Sequence, residues 1–392
     1  MPLRTLPLST AAAALCFAAA PLAAQAQNNQ PQNNQAQNSQ AQGDQAQGNG
    51  GRLEQVAEFP HQVTGVTVSE DNRIFVNFPR WTEDSPISVA EVVNGELRPY
   101  PNETWNMWRN ARKADFAPES HFICVQSVVA DKRGSLFVLD AAAPAQAKIV
   151  LGGPKLVQID LKTNGVVKTW SFDQTIAPQG SYLNDVRLSP DGKTAYITDS
   201  GLVGAIVVVD LQSGRARRLL AGHPSTQVEP NVQVKADGEI LRQPDGRGVE
   251  FSADGIALTK DGKWLYWQAI KGRTLYRIDT ASLRDEALSP KELGQKVEAR
   301  GTNGVADGLL ITEDGRMIVT APEGNALFVR KTLDQEPVAW IADDRLRWPD
   351  TLSEGPDGAV YVTTSRIQDM SFFKRDAPIA LKTQLWRVPA GQ

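Results

Sequence analysis

Between residues 63 and 364 the chain repeats one hydropathy pattern six times. Each copy holds a short apolar run, a polar turn and a second apolar run. The copies are VTGVTVSEDNRIFVNF (63–78), VQSVVADKRGSLFVLD (125–140), LNDVRLSPDGKTAYIT (183–198), ADGIALTKDGKWLYWQ (253–268), ADGLLITEDGRMIVTA (306–321) and PDTLSEGPDGAVYVTT (349–364). Such runs around a turn predict β-hairpins. Asp-Gly pairs at 191–192, 261–262, 314–315 and 357–358 supply residues that tolerate the turn backbone. A third apolar run follows at 155–161, 205–211, 274–280, 326–332 and 384–390, and 166–172 and 215–221 read as fourth strands.

The second positions of the six copies are Thr64, Gln126, Asn184, Asp254, Asp307 and Asp350, spaced 62, 58, 70, 53 and 43 residues apart. That spacing is too long and irregular for a solenoid and suits four-stranded units with loop insertions. Six such units predict an all-β, six-bladed β-propeller. A pair of β-sandwiches would not explain one turn chemistry six times over. The last copy has three strands before the chain ends, and 52–59 (RLEQVAEF) reads as a free strand ahead of the first. It is expected to complete the last blade and remove an exposed edge.

In a propeller the first strand of each blade lines the central channel. The six second positions then face one another as a polar ring with three carboxylates. Like charges in a confined space call for a cation or for bound protons. A hard divalent cation such as Ca²⁺, which takes carboxylate and amide oxygens, is one solution. A small-molecule ligand with a protonated amine is another, with Thr64, Gln126, Asn184 and Asp350 as contacts and Asp254 and Asp307 as candidate catalytic carboxylates. A plainer reading keeps each Asp as a strand-opening residue bonded to its own backbone. Trp81, Trp105, Trp108 and Trp348 flank loops, and of these Trp81 and Trp348 are candidate ligand walls. Trp264, Trp267 and Trp386 read as core. His121, ahead of the second inner strand, is a candidate general base at the mouth. His223 opens a long insertion (221–250) that would serve as a lid. No G-x-S-x-G, H-E-x-x-H or phosphate loop is present.

Residues 1–26 read as a signal peptide: Arg4, an Ala-rich apolar stretch, then Ala24-Gln25-Ala26. Export, to the periplasm or beyond, is the expectation, with no integral membrane segment after its removal. Residues 27–50 hold 15 Gln or Asn in 24 positions and read as a disordered spacer, leaving 51–392 for the propeller. A net charge of −4 gives no footprint for nucleic acid. Two cysteines, Cys16 and Cys124, exclude a disulfide scaffold, and three scattered histidines exclude a zinc-finger spacing. The chain is expected to be a monomer.

Phe78-Pro79-Arg80-Trp81, Leu97-Arg98-Pro99-Tyr100-Pro101 and Trp105-Asn106 resemble the Yellow/major royal jelly protein family. So do Val125-Gln126-Ser127-Val128, 136–140, 154–161, Tyr182-Leu183-Asn184-Asp185-Val186 and the 301–308 stretch. The resemblance spans about 53–390 and implies an exported six-bladed propeller. The family includes proteins tied to dopachrome conversion, salivary proteins that bind biogenic amines, and nutritive jelly proteins. Its bacterial members are described as dopachrome-tautomerase-related. A more distant similarity is to the gluconolactonase/regucalcin propellers, whose metal is held by a first-blade Glu with Asn and Asp at inner-strand starts. Asn184, Asp254 and Asp307 fall at such positions, Thr64 stands where the Glu would be, and Asp350 could restore the charge. Three readings follow: a small-molecule binder with tautomerase-like chemistry, a Ca²⁺-dependent lactone hydrolase, and a non-catalytic scaffold.

Overall fold

The structure is a computed structural model that describes residues 53–391. The signal-peptide and spacer readings fall outside these residues. The described chain forms six four-stranded antiparallel sheets and one small two-stranded hairpin. Blade 1 runs through Val66–Val68, Ile74–Asn77, Val89–Val93 and Glu96–Pro99, and blade 2 through Val125–Ala130, Ser135–Asp140, Lys155–Asp160 and Gly165–Ser171. Blade 3 uses Leu183–Leu188, Thr194–Asp199, Ala205–Asp210 and Ala216–Leu219. Blade 4 uses Ala253–Leu258, Trp264–Ala269, Thr274–Asp279 and Glu298–Thr302, with two five-residue α-helices between its outer strands. Blade 5 uses Leu309–Ile311, Met317–Ala321, Ala326–Arg330 and Val338–Ala342. Each predicted hairpin is present, in the predicted order.

Blade 6 is built from both ends of the propeller. Pro349–Glu354, Val360–Thr364 and Thr383–Val388 are followed outward by Glu54–Phe59, which pairs antiparallel with Thr383–Val388 from Glu54↔Arg387 to Phe59↔Thr383. Thr383 Oγ1 fastens the seam, accepting Val63 N–H at 3.0 Å and donating to His61 O at 2.6 Å. The closure expected of 52–59 is therefore present. The fourth strands of blades 1 and 4 left no apolar signal because they are largely polar and outward-facing, as in EARGT at Glu298–Thr302, whereas that of blade 5, VAWIA, is an apolar run that is mostly exposed.

The core lies between neighbouring blades. Blade 3 presents Tyr196, Ile206 and Val208 to Ile256, Leu265 and Trp267 of blade 4, all within one buried cluster. Burial at about 25 cal/mol per Å² of apolar surface makes these inter-blade faces the main source of stability. Trp267 and Trp386 are buried, as expected of core residues, and Trp264 is half-buried under the Arg277 guanidinium, 4.0 Å from its ring. Antiparallel strand order puts the Asp-Gly turns at one end of the channel. The long connections 100–124, 220–252 and 365–382 lie at the other.

Candidate functional site

Four inner strands slip register at their second position. The slips fall between Val125 and Ser127, Leu183 and Val186, Ala253 and Ile256, and Pro349 and Leu352. Such a bulge re-aims side chains, and Gln126, Asn184, Asp254 and Asp350 occupy these four. They line one cavity at the loop end of the channel together with Thr64 and Asp307. The repeat alignment thus brought six distant residues to one place. Polar residues on the second strands support them across blade boundaries. Thr198 Oγ1 donates to Asp254 O at 2.6 Å, Thr363 Oγ1 donates to Thr64 O at 2.5 Å, and Asn77 Nδ2 donates to Val125 O at 3.1 Å.

The glycines that follow ring residues also have a packing reason. A Cβ at Gly255 would stand 2.2 Å from Asp307 O, and one at Gly308 would stand 2.0 Å from Asp350 O. At these two steps, blades 4 and 5 pass the backbone of the next blade where only glycine fits.

The carboxyls are wired to each other and to N–H donors. Asn184 Nδ2 donates to Asp254 Oδ1 at 2.6 Å, and the Trp348 indole N–H donates to Asp307 Oδ2 at 2.7 Å. Asp254 and Asp307 share a side-chain hydrogen bond. Burial, then the charges of Asp307, Asp350 and Asp185, push the Asp254 carboxyl well above the usual range. Asp350 is pushed up by burial and by Asp307. Burial raises Asp307 to about 6, against the pull of Trp348 and Asp254. Burial and the crowding of like charges thus favour the protonated form of Asp254 and weaken the ionisation of Asp307.

Trp81 joins the ring and was expected there, while its partner Tyr182 was not singled out. The Trp81 indole N–H donates to the Tyr182 hydroxyl oxygen, and both side chains line the ring cavity. Arg80 sets Trp81 in place. Fully buried, it donates to Ser85 O, Phe122 O and Ile123 O, clamping the blade 1 loop to the start of blade 2. Beside the ring, Asp185 accepts from Ser127 Oγ at 2.6 Å and pairs with Arg187 at 2.8 Å. Asp185 lines the ring cavity and also a second cavity of about 190 Å³ toward the turn end. Alternation along an inner strand would not reveal Asp185, because the bulge at Asn184 breaks it.

The space among the ring side chains is about 30 Å³, room for about two waters. It adjoins a vestibule of about 280 Å³ that shares Tyr182, Ser200, Phe251 and Ile367 with it. Met370, Phe372 and Phe373 from one long connection form its apolar side, and Gln243, Arg247 and Glu250 come from the end of the 221–250 insertion. Arg347 ties the two connections together, donating to Asp237 at 2.9 and 2.6 Å and to Asp369 at 2.6 and 2.9 Å.

Other expected residues lie elsewhere. Trp348 is fully buried and reaches the site only through its bond to Asp307. His121 does not line the ring cavity or the vestibule. The turn Pro118–Ser120 folds back so that His121 Nδ1 meets Ala117 O at 2.8 Å, with Phe116 against the ring. His223 bonds Ser225 in its own turn, Trp108 bonds Asn110, and Trp105 packs on Phe122. Cys124 is buried and free.

Calcium takes six to eight oxygens at about 2.3–2.6 Å. Here Asn184 turns its nitrogen to Asp254 and an indole N–H occupies Asp307. Among the described residues no three His, Cys, Asp or Glu side chains gather so as to hold a metal. The arrangement of Asn184, Asp254 and Asp307 serves protons and N–H donors and does not fit a calcium site. Among the described residues, no helix is long and apolar enough to cross a membrane.

A family model described as major royal jelly protein matches residues 123–378. No curated protein matches the chain in sequence. Solved structures share the fold at low identity. A luciferin-regenerating enzyme is 13% identical over 87% of this chain and 96% of its own, with a TM-score of 0.51. The calcium-binding protein regucalcin from Agrobacterium tumefaciens is 13% identical over 86% and 95%, at 0.52. A gluconolactonase from Xanthomonas campestris is 12% identical over 86% and 89%, at 0.51.

Proposed function

The chain belongs to the major royal jelly protein family, and from that premise we propose that its channel binds a small cyclic molecule, neutral or cationic, and moves a proton on it. The observation that carries this reading is the buried Asp254–Asp307 pair, its carboxyls pushed above their usual range by burial and held by Asn184 and Trp348, in the ring cavity beside the vestibule. A base near neutrality beside a proton donor is what general acid–base chemistry requires. Asp307, as the carboxylate, would take a proton from carbon. Asp254 would supply one to the other end of the shifted double bond, and the shared hydrogen bond would reset the pair. Nothing is consumed, so the net change is a tautomerisation.

The small inner space admits only the reacting edge of a substrate. Its body would rest on Phe251, Met370, Phe372 and Phe373. The residual carboxylate charge disfavours an anionic group at the ring. Arg4 and the Ala24-Gln25-Ala26 site support export, so the reaction would take place outside the cytoplasm.

The test is α-deuterium exchange of 2-indanone, a neutral ring with acidic C–H bonds beside a carbonyl. Wild-type protein is expected to accelerate exchange, with a rate that rises through about pH 6 as Asp307 ionises. Asp254→Asn and Asp307→Asn are each expected to lower it by about 10²-fold or more. Exchange at the wild-type rate in either variant would sink the reading.

A further inference from the structure

The Trp81–Tyr182 contact leaves a hydroxyl hydrogen without a strong protein acceptor. The indole N–H is a donor only, so the Tyr182 oxygen accepts from Trp81 and its own hydrogen must point elsewhere. The protein atom within reach is Cys124 Sγ at 3.8 Å, long for a bond and a weak acceptor. Gln126 Nε2 already donates to that sulfur at 3.5 Å. If the thiol instead donates to Tyr182, the hydroxyl hydrogen is freer still. Burial holds both the Tyr182 hydroxyl and the Cys124 thiol in their protonated forms. Tyr182 lines both the ring cavity and the vestibule, and so stands where an incoming molecule passes from one to the other. A buried hydroxyl with an unspent hydrogen is costly unless a ligand or water accepts it.

We propose that Tyr182 donates its hydroxyl hydrogen to a carbonyl oxygen of the molecule bound in the channel, which makes the site selective for carbonyl compounds. The proposal rests on the proton-transfer reading of Asp254 and Asp307 for its chemistry. In the step it serves, Asp307 removes the α-hydrogen as a proton, the C–H electron pair becomes the new C=C bond, and the C=O π pair moves to oxygen. The enolate oxygen then carries the charge and the Tyr182 hydrogen bond shortens onto it, as a preorganised donor to a developing oxyanion. Return of a proton from Asp307 to carbon restores the ketone. Trp81 is the positioning residue: by occupying the phenol oxygen it fixes the direction of the hydrogen.

The experiment uses 2-indanone enriched in ¹³C at the carbonyl, bound to the full-length protein, with exchange measured on the same samples. Wild type is expected to move the bound carbonyl resonance downfield. Tyr182→Phe is expected to lose that shift and bind about tenfold more weakly. Asp254→Asn is expected to keep the shift while losing exchange. Trp81→Phe, which retains the hydroxyl but not its orientation, is expected to show a smaller shift, and serves if Tyr182→Phe does not fold. A full shift in folded Tyr182→Phe, an unchanged shift in Trp81→Phe, or no downfield movement in wild type each overturns the assignment. If Tyr182→Phe loses the shift while Asp254→Asn exchanges at the wild-type rate, the proton-transfer reading fails and the carbonyl contact stands.

Discussion

From an ordinary carboxyl value of 3.8, Asp307 rises to about 6 in the fold because it is buried. Between those values the folded state holds a proton that the unfolded chain has released. Stability therefore falls as pH rises from about 4 to about 6, by roughly 2–3 kcal/mol for this group. Asp254 and Asp350, pushed up in the same direction, extend the loss to higher pH. Asp307→Asn keeps an acceptor for the Trp348 indole and removes the titration. Urea unfolding should show the variant gaining on wild type above about pH 6 by the same 2–3 kcal/mol, with little gain near pH 4. Equal pH slopes in the two proteins would mean that Asp307 ionises normally. At this scale the sequence was informative wherever the repeat aligned residues. All six ring positions and Trp81 were legible. Tyr182 was not, because its role depends on a contact with Trp81 101 residues away. His121 was misplaced because a single turn, Pro118–Ser120, directs its ring back to Ala117.

Between strands, the close approaches at Gly255 and Gly308 show why Asp-Gly opens two of the inner strands. The glycine gives the neighbouring blade room, and the aspartate beside it is carried into the channel. Gly308→Ala puts a methyl group 2.0 Å from Asp350 O, where no flexible side chain can yield. A loss of about 2–4 kcal/mol in unfolding free energy is expected, with weakened ligand binding because Asp350 must move. A variant as stable as wild type would mean the blades are less tightly apposed. The Glu54–Phe59 strand makes the second element-scale prediction. Deleting 53–59 leaves Thr383–Val388 as a bare edge and removes the Glu54–Arg387 pair at 2.8 Å. Sedimentation and circular dichroism should report aggregation or loss of cooperative unfolding, since an unpaired edge templates association. The hairpins were legible because alternation and Asp-Gly turns are local signals. The outer strands of blades 1 and 4 were not, because strands such as Glu96–Pro99 bury little and carry no periodic signal, and that of blade 5, VAWIA, is apolar throughout and so lacks alternation.

Taken as a ring, the molecule is held by apolar faces between blades, and its channel is filled with paired polar groups. This gives an expectation about metal. Ca²⁺ or EDTA should leave the thermal midpoint unchanged, because a ligand shifts it only by binding the folded state. A rise with Ca²⁺ that Asp307→Ala abolishes would restore a metal site at the ring. Six-fold architecture was readable from sequence because the motif repeats. The vestibule was not, since its walls come from unrelated insertions brought together by Arg347.

The seam in blade 6 carries one more consequence. Glu54 and Arg387 face each other across one strand pair, so the first and last strands of the propeller meet in a single sheet. Topologically the propeller is then a closed necklace cut once, and the location of the cut is not dictated by the inter-blade packing. A short peptide joining the ends would let the cut be moved to a turn such as Asp261-Gly262, giving a circular permutant with the same channel and a different first blade.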